Sequence, residues 1–147
     1  MDTIKQQNNI FRNSVTQHFA PLIDVFGFHG PIVEEGGGVV DISMSFWNHE
    51  LVISIWIDKV GSFLELSFSR NLQQSLDKVE CRPDESYLGI SDILDLIGAD
   101  GRIRERQRLR NANIDVEVAW CYKQLQIVLP ILTEYYSDIL RKVRSNR

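Results

Sequence analysis

The sequence predicts a two-layer α+β fold: an N-terminal helix, a three-stranded antiparallel meander, a short helix and a long proline-kinked C-terminal helix, with the helices on the apolar face of the sheet. Three observations lead there. Apolar residues recur every three or four positions up to Phe26, alternate with polar ones between Val40 and Ser69, and return to helical spacing from Ile114 onward.

Ile4, Phe11, Val15, Phe19, Leu22, Ile23 and Phe26 form one face of a helix expected over about Thr3–Phe26. Pro21 should kink or break it just upstream, because the ring removes a donor and clashes with the preceding turn. Gly27 closes it. Val40, Ile42, Met44 and Phe46 then alternate with Asp41, Ser43 and Ser45, and Leu51, Ile53, Ile55 and Ile57 alternate with Val52, Ser54, Trp56 and Asp58. These are half-buried strands. A two-residue turn at Asn48-His49 would pair Phe46 with Leu51, Met44 with Ile53, Ile42 with Ile55 and Val40 with Ile57. A third strand, Ser62–Ser69, offers Leu64, Leu66 and Phe68; an even-numbered loop around Lys59–Gly61 would align Leu64 with Ile55 and Leu66 with Ile53.

The same register puts Asp41, Ser43, Ser45, Trp47, Val52, Ser54, Trp56, Phe63, Glu65 and Ser67 on the opposite face. Aromatic rings in such a polar frame either shield the sheet or anchor a partner. The chain is polar from Arg70 to Ser86. Ile90–Ile97 then reads as a short helix, with Ser91 as N-cap, Asp92 near its positive end and Gly98 as the stop. A long helix begins near Asn111 or Asn113 and runs towards Arg144, with Ile114, Val118, Cys121, Leu125, Val128, Leu132, Tyr136, Ile139 and Val143 on one stripe. Pro130 must kink or divide it.

At 147 residues and 44% apolar content, with no linker, repeat or low-complexity tract, residues 1–147 read as one domain. No signal-like or membrane-spanning run is visible, so secretion and membrane insertion are disfavoured. Cys81 and Cys121 read as free thiols in a reducing cytoplasm. Charge is unevenly spread. Residues 1–100 hold 15 acidic against 6 basic side chains, a net of −9, whereas residues 101–147 hold 5 against 10, a net of +5. Such asymmetry speaks to partners rather than to fold.

The amphipathic helix ending in Phe26-Gly27-Phe28, the meander with short turns and the run Ser91-Asp92-Ile93-Leu94-Asp95-Leu96-Ile97-Gly98-Ala99 resemble small bacterial α+β proteins of the toxin-immunity type. The resemblance covers about the first hundred residues and rests on pattern. It implies a cytoplasmic inhibitor that neutralises a bacterial toxin by direct binding, and it brings no catalytic residues.

The residues themselves supply little chemistry. His18, His29 and His49 are too dispersed for a local metal motif, and neither cysteine has metal-ligand spacing. Gly36-Gly37-Gly38 lacks the frame of a phosphate-binding loop and reads as a turn before the first strand, and Glu34-Glu35 reads as loop. No Gly-x-Ser-x-Gly elbow occurs. The expectation is a non-catalytic binding protein without metal or cofactor. Its candidate partner-binding residues are Asp77, Glu80, Asp84, Glu85, Asp92 and Asp95, with Trp47 and Trp56 as apolar anchors. Carboxylates so placed can occupy the positions of substrate phosphates on a basic toxin domain, and complementary fields speed encounter. The alternative site is the basic ridge Arg102, Arg104, Arg106, Arg108 and Arg110, which would make the protein a nucleic-acid-associated or regulatory module. The acidic whole, net −4, weighs against nucleic acid. A third reading is a homo-oligomer joined through its sheet face or long helix.

Overall fold

A computed structural model describes residues 3–37, 40–58, 62–73, 78–96 and 107–145. The N-terminal stretch is two helices, α1 (Thr3–His18) and α2 (Ala20–Asp24), separated at Phe19. Pro21 lies in the first turn of α2, where a missing N–H breaks no helical bond, so the break falls upstream of the ring as expected. Phe11, Val15, Phe19 and Leu22 are fully buried. Ile4, Ile23 and Phe26 of the anticipated stripe are instead exposed, at 50%, 38% and 52%. A stripe drawn for one continuous helix does not survive the change of axis at Phe19. Gly27, at φ +72°, turns the chain so that Phe28 N–H donates to the Leu22 carbonyl.

Among the described residues the sheet has five antiparallel strands in sequence order, not three: β1 (His29–Gly37), β2 (Val40–Trp47), β3 (Leu51–Asp58), β4 (Phe63–Asn71) and β5 (Pro83–Gly89). The three expected strands are its centre, and the additions are its two edges. Glu34, Glu35, Gly36 and Gly37, read as loop and turn from the sequence, belong to β1. An edge strand tolerates charge, proline and a bulge, and β1 carries all three, with its register shifting between His29 and Ile32.

Both central registers are offset by two residues from expectation. Phe46 pairs with Ile53, Met44 with Ile55 and Ile42 with Ile57; Ile55 pairs with Leu66, Ile57 with Leu64 and Ile53 with Phe68. The cause at the first turn is Asn48. Its side-chain Oδ1 accepts from the Glu50 and Leu51 amides at 2.9 and 2.8 Å, and its own N–H donates to the Leu51 carbonyl at 3.0 Å. Asn48 thereby closes the chain around His49-Glu50, one residue later than the expected turn at Asn48-His49. A slip of two preserves faces, so Ile42, Met44 and Phe46 stay on the helix side; Val40 does not follow, because a register shift before Ile42 sets it opposite Asp58 instead of Ile57.

Helix α3 (Ile90–Leu96) starts one residue before Ser91, which is therefore its second residue and not its cap. Helix α4 (Ile114–Ser145) buries every residue of its expected stripe. Asn113, just ahead of it, folds its side chain back to accept from the Arg110 amide and donate to the Arg108 carbonyl. Its own carbonyl accepts the N–H of Glu117, the bond that opens α4. Pro130 lies within α4, but the non-helical residue is Tyr135, at φ −124°, ψ 21°. The kink expected at the proline is displaced by five residues. The helices meet the sheet over one shared core, in which Phe46, Ile55, Phe68 and Leu88 of the strands pack with Phe11, Phe19, Ile93, Leu125 and Leu132.

Candidate functional site

Asp84 and Glu85 fall on β5, Asp92 and Asp95 on α3, and Glu80 in the segment just ahead of β5; Asp77 lies outside the described residues. They divide into two sets. Glu80 and Asp84 are half-buried and engaged internally. The Glu80 carboxylate is 3.9 Å from Arg82 and its carbonyl accepts from Asn71 Nδ2 at 2.7 Å. Asp84 accepts from the Ser86 amide at 3.2 Å. Asp84 also sits near Tyr136, whose buried phenol is pushed up to about 12, chiefly by burial, with Asp84 adding and Arg70 and Arg144 opposing. The Tyr136 hydroxyl donates to the Phe68 carbonyl at 3.3 Å, and the Arg70 guanidinium stands 5.7 Å from its ring centre.

Glu85, Asp92 and Asp95 form the second set, and all three are exposed. In β5 Leu88 points into the core, so the two-residue period directs Glu85 and Tyr87 to the opposite face. There Tyr87 is 54% exposed, and its ring meets that of Trp56 edge to face at 6.5 Å. Trp56 belongs to β3 and meets Tyr87 across β4, where Glu65 stands opposite Trp56, Ser69 opposite Tyr87 and the small, buried Ser67 between them on the same face. Asp92, in the first turn of α3, turns its carboxylate to this side, 3.7 Å from where a Cβ on Gly89 would stand. Asp95 follows at the helical spacing of three that keeps both on one side. The arrangement is a tyrosine supported by Trp56, with exposed Glu85 on the same face of its strand and exposed Asp92 and Asp95 on the helix that follows.

Sequence reasoning missed Tyr87. Its signal was the alternation of Glu85 and Tyr87 with Ser86 and Leu88, too short and too polar to stand out beside the central strands. Trp47 is not part of this edge. It is half-buried, its indole N–H donates to the Val79 carbonyl at 3.0 Å, and His29 stacks on it at 6.1 Å. Trp47 thus shields the sheet beneath the segment from Lys78 to Arg82. That segment also comes near β1, since burial first and the Glu34 carboxylate second push the Cys81 thiol up.

Of the basic ridge, Arg102, Arg104 and Arg106 lie outside the described residues, while Arg108 and Arg110 are exposed on either side of buried Leu109. Leu109 N–H donates to the Ser62 carbonyl at 2.7 Å, so these arginines sit at the end of the sheet where β4 begins.

The histidines go to separate partners: His29 to Trp47, His49 to Gln73, and His18 to Asp115. Among the described residues no group of three His, Cys, Asp or Glu side chains is placed to hold a metal ion. Ser14, His18 and Asp115 do meet, but not as a nucleophile relay. Ser14 Oγ donates to Asp115 Oδ1 at 2.7 Å and His18 Nε2 lies 3.0 Å from that same oxygen, so the imidazole does not stand between serine and carboxylate. They clasp α1 to the start of α4. The hydrogen bond from Ser14 first, and that from His18 second, hold the Asp115 carboxyl below its ordinary value. A depressed carboxylate adds stability that is present above the ordinary pKa of 3.8 and is lost as pH falls through the folded value. Asp115→Asn should therefore lower the urea midpoint at pH 7, and its deficit should shrink as the pH drops below about 4. A deficit equal at pH 7 and pH 3 would refute the clasp.

No helix among the described residues is long and apolar enough to cross a membrane. No protein-family model matches the chain, and neither a curated protein nor a solved structure is significantly similar to it.

Proposed function

We propose that the protein is a non-catalytic binding protein that engages a basic protein partner through its β5–α3 edge, in the manner of a toxin-immunity protein of the bacterial cytoplasm. The observation that carries this reading is exposed Tyr87, backed by Trp56 and bordered by Glu85, Asp92 and Asp95. An aromatic anchor loses little rotamer freedom on binding and supplies apolar area, while surrounding carboxylates select a cationic partner and accelerate its approach. Glu80 and Asp84, committed to Arg82 and to Ser86, serve the local fold in this reading. Cys81 and Cys121 are not joined in a disulfide, which suits a reducing compartment.

The test is affinity capture with tagged full-length protein from its native cells, comparing wild type with a Glu85→Gln/Tyr87→Ala/Asp92→Asn/Asp95→Asn variant. One stoichiometric basic polypeptide, released by moderate salt and missing from the variant, is the expected result. The reading falls if the variant retains the partner. Recovery of nucleic acid alone would shift the site to Arg108 and Arg110.

A further inference from the structure

We infer that the cavity between α2 and α4 seats an apolar side chain from a basic segment of a partner protein, whose lysine or arginine meets Glu134 on the rim and Glu50 in the depression beside it. This rests on the reading that the partner is a basic protein, and it adds a second contact on another surface. The cavity measures about 610 Å³, within the range of pockets that bury a ligand and with room for a large side chain and its neighbours; Leu22, Phe26, Phe28, Leu125 and Leu129 wall it, with Asn48, Gln126, Thr133 and Glu134 as its polar lining. Ile23, Val25 and Phe26, at the α2 end, are exposed large apolar residues, an arrangement that costs solubility unless something covers it. Tyr122 lines the same cavity, is 9% exposed, and its hydroxyl has no hydrogen-bond partner among the described residues. A buried hydroxyl left without a partner is costly, and an incoming polar group would relieve it.

Charge selects the occupant. A depression of about 440 Å³ adjoins the cavity, sharing Thr133 and Glu134 with it, and is lined further by Glu50, Leu72, Tyr135 and Asp138. Arg70, in its wall, is directed over the Tyr136 ring, and Asp138 is bridged to Arg141 at 2.9 Å. Glu50 and Glu134 supply the negative charge that would face a cation, Glu134 also accepting a hydrogen bond from Tyr135. The depression also reaches the β4–β5 connection, because Leu72 N–H donates to the Arg82 carbonyl at 2.6 Å. A single basic partner can thus lie along α4 and continue towards β5.

The probe is a labelled amphipathic peptide of about 14 leucine and lysine residues, long enough for helix formation, with a leucine/glutamate peptide as its counterpart. Each is titrated into the full-length protein and followed by anisotropy and by amide NMR shifts. The leucine/lysine peptide should move the resonances of Leu125, Gln126, Leu129 and Thr133, and Gln126→Trp, which fills the mouth from an exposed position, should abolish that response. Glu50→Gln/Glu134→Gln should weaken binding about tenfold at low salt. Equal binding of both peptides, shifts confined to other surfaces, or indifference to Gln126→Trp would overturn the inference. So would shifts at these residues that depend on protein concentration alone, which would assign the cavity to a second copy. A native partner lost by the β5–α3 variant but kept by Gln126→Trp leaves the proposed function standing and removes only the cavity. The reverse pattern removes the edge.

Discussion

Phe19→Ala should destabilise the protein by about 3–5 kcal/mol, the cost of emptying a phenylalanine site in a packed core. Phe19 is fully buried at the break between α1 and α2, stacked on Phe46 of β2 at 5.7 Å and edge-on to Tyr122 of α4 at 5.2 Å. Its ring is the point where the N-terminal helices, the sheet and the C-terminal helix touch one another. Set against a total stability of roughly 5–15 kcal/mol, that loss would lower the thermal midpoint by roughly 10 °C or leave the chain largely unfolded. Ile23, four positions on and part of the same apolar stripe in the sequence, is 38% exposed. Ile23→Ala should cost less than about 1 kcal/mol. Urea denaturation of the two variants decides the matter: similar losses would mean that the break at Phe19 does not organise the core.

Gly30→Ala is the second large effect expected. Gly30 has φ +118°, a conformation side chains resist at about 1–3 kcal/mol. It also leaves no room, since an added Cβ would stand 2.7 Å from the Ser45 carbonyl oxygen and 3.0 Å from the Trp47 ring. The Ser45 oxygen is β2 backbone and cannot yield without disturbing the sheet, so overpacking adds about 1–3 kcal/mol. A combined loss of about 3 kcal/mol should appear together with a change in Trp47 fluorescence, because the bulge that lets His29 stack on Trp47 would be displaced. Gly27 provides the control. It too has positive φ, at +72°, but nothing lies within 4 Å of its added Cβ, so Gly27→Ala should cost only the strain, about 1 kcal/mol. If the two variants lose the same stability, the close approach of β1 to β2 is not what requires glycine at position 30.

The carboxylates of the proposed site were legible as an acidic stretch, but their division was not. Glu80 and Glu85 look alike in sequence; the first is drawn to Arg82 beneath Asn71, while the second is turned outward by the alternation of β5. Trp47 and Trp56 likewise looked equivalent. Contact with Val79 and His29 makes Trp47 a cover for the sheet, and the contact with Tyr87 gives Trp56 its place beside the exposed edge.

By itself the sequence determined the helices α1, α3 and α4, the three central strands and the face each strand buries. These follow from periodicity, which is local: the Ile114-to-Val143 stripe and the Ile53/Ile55/Ile57 alternation each repeat often enough to admit one solution. Tertiary structure decided the rest. The two edge strands exist because β2 and β4 present free backbone groups for them, whatever the polarity of His29–Gly37 and Pro83–Gly89. The exact register came from the Asn48 side chain, because a slip of two leaves every residue on its own face and so is invisible to pattern. The helix kink fell at Tyr135 and not at Pro130. A proline removes one hydrogen bond and permits a bend nearby, while packing against the sheet and α3 fixes where the axis turns.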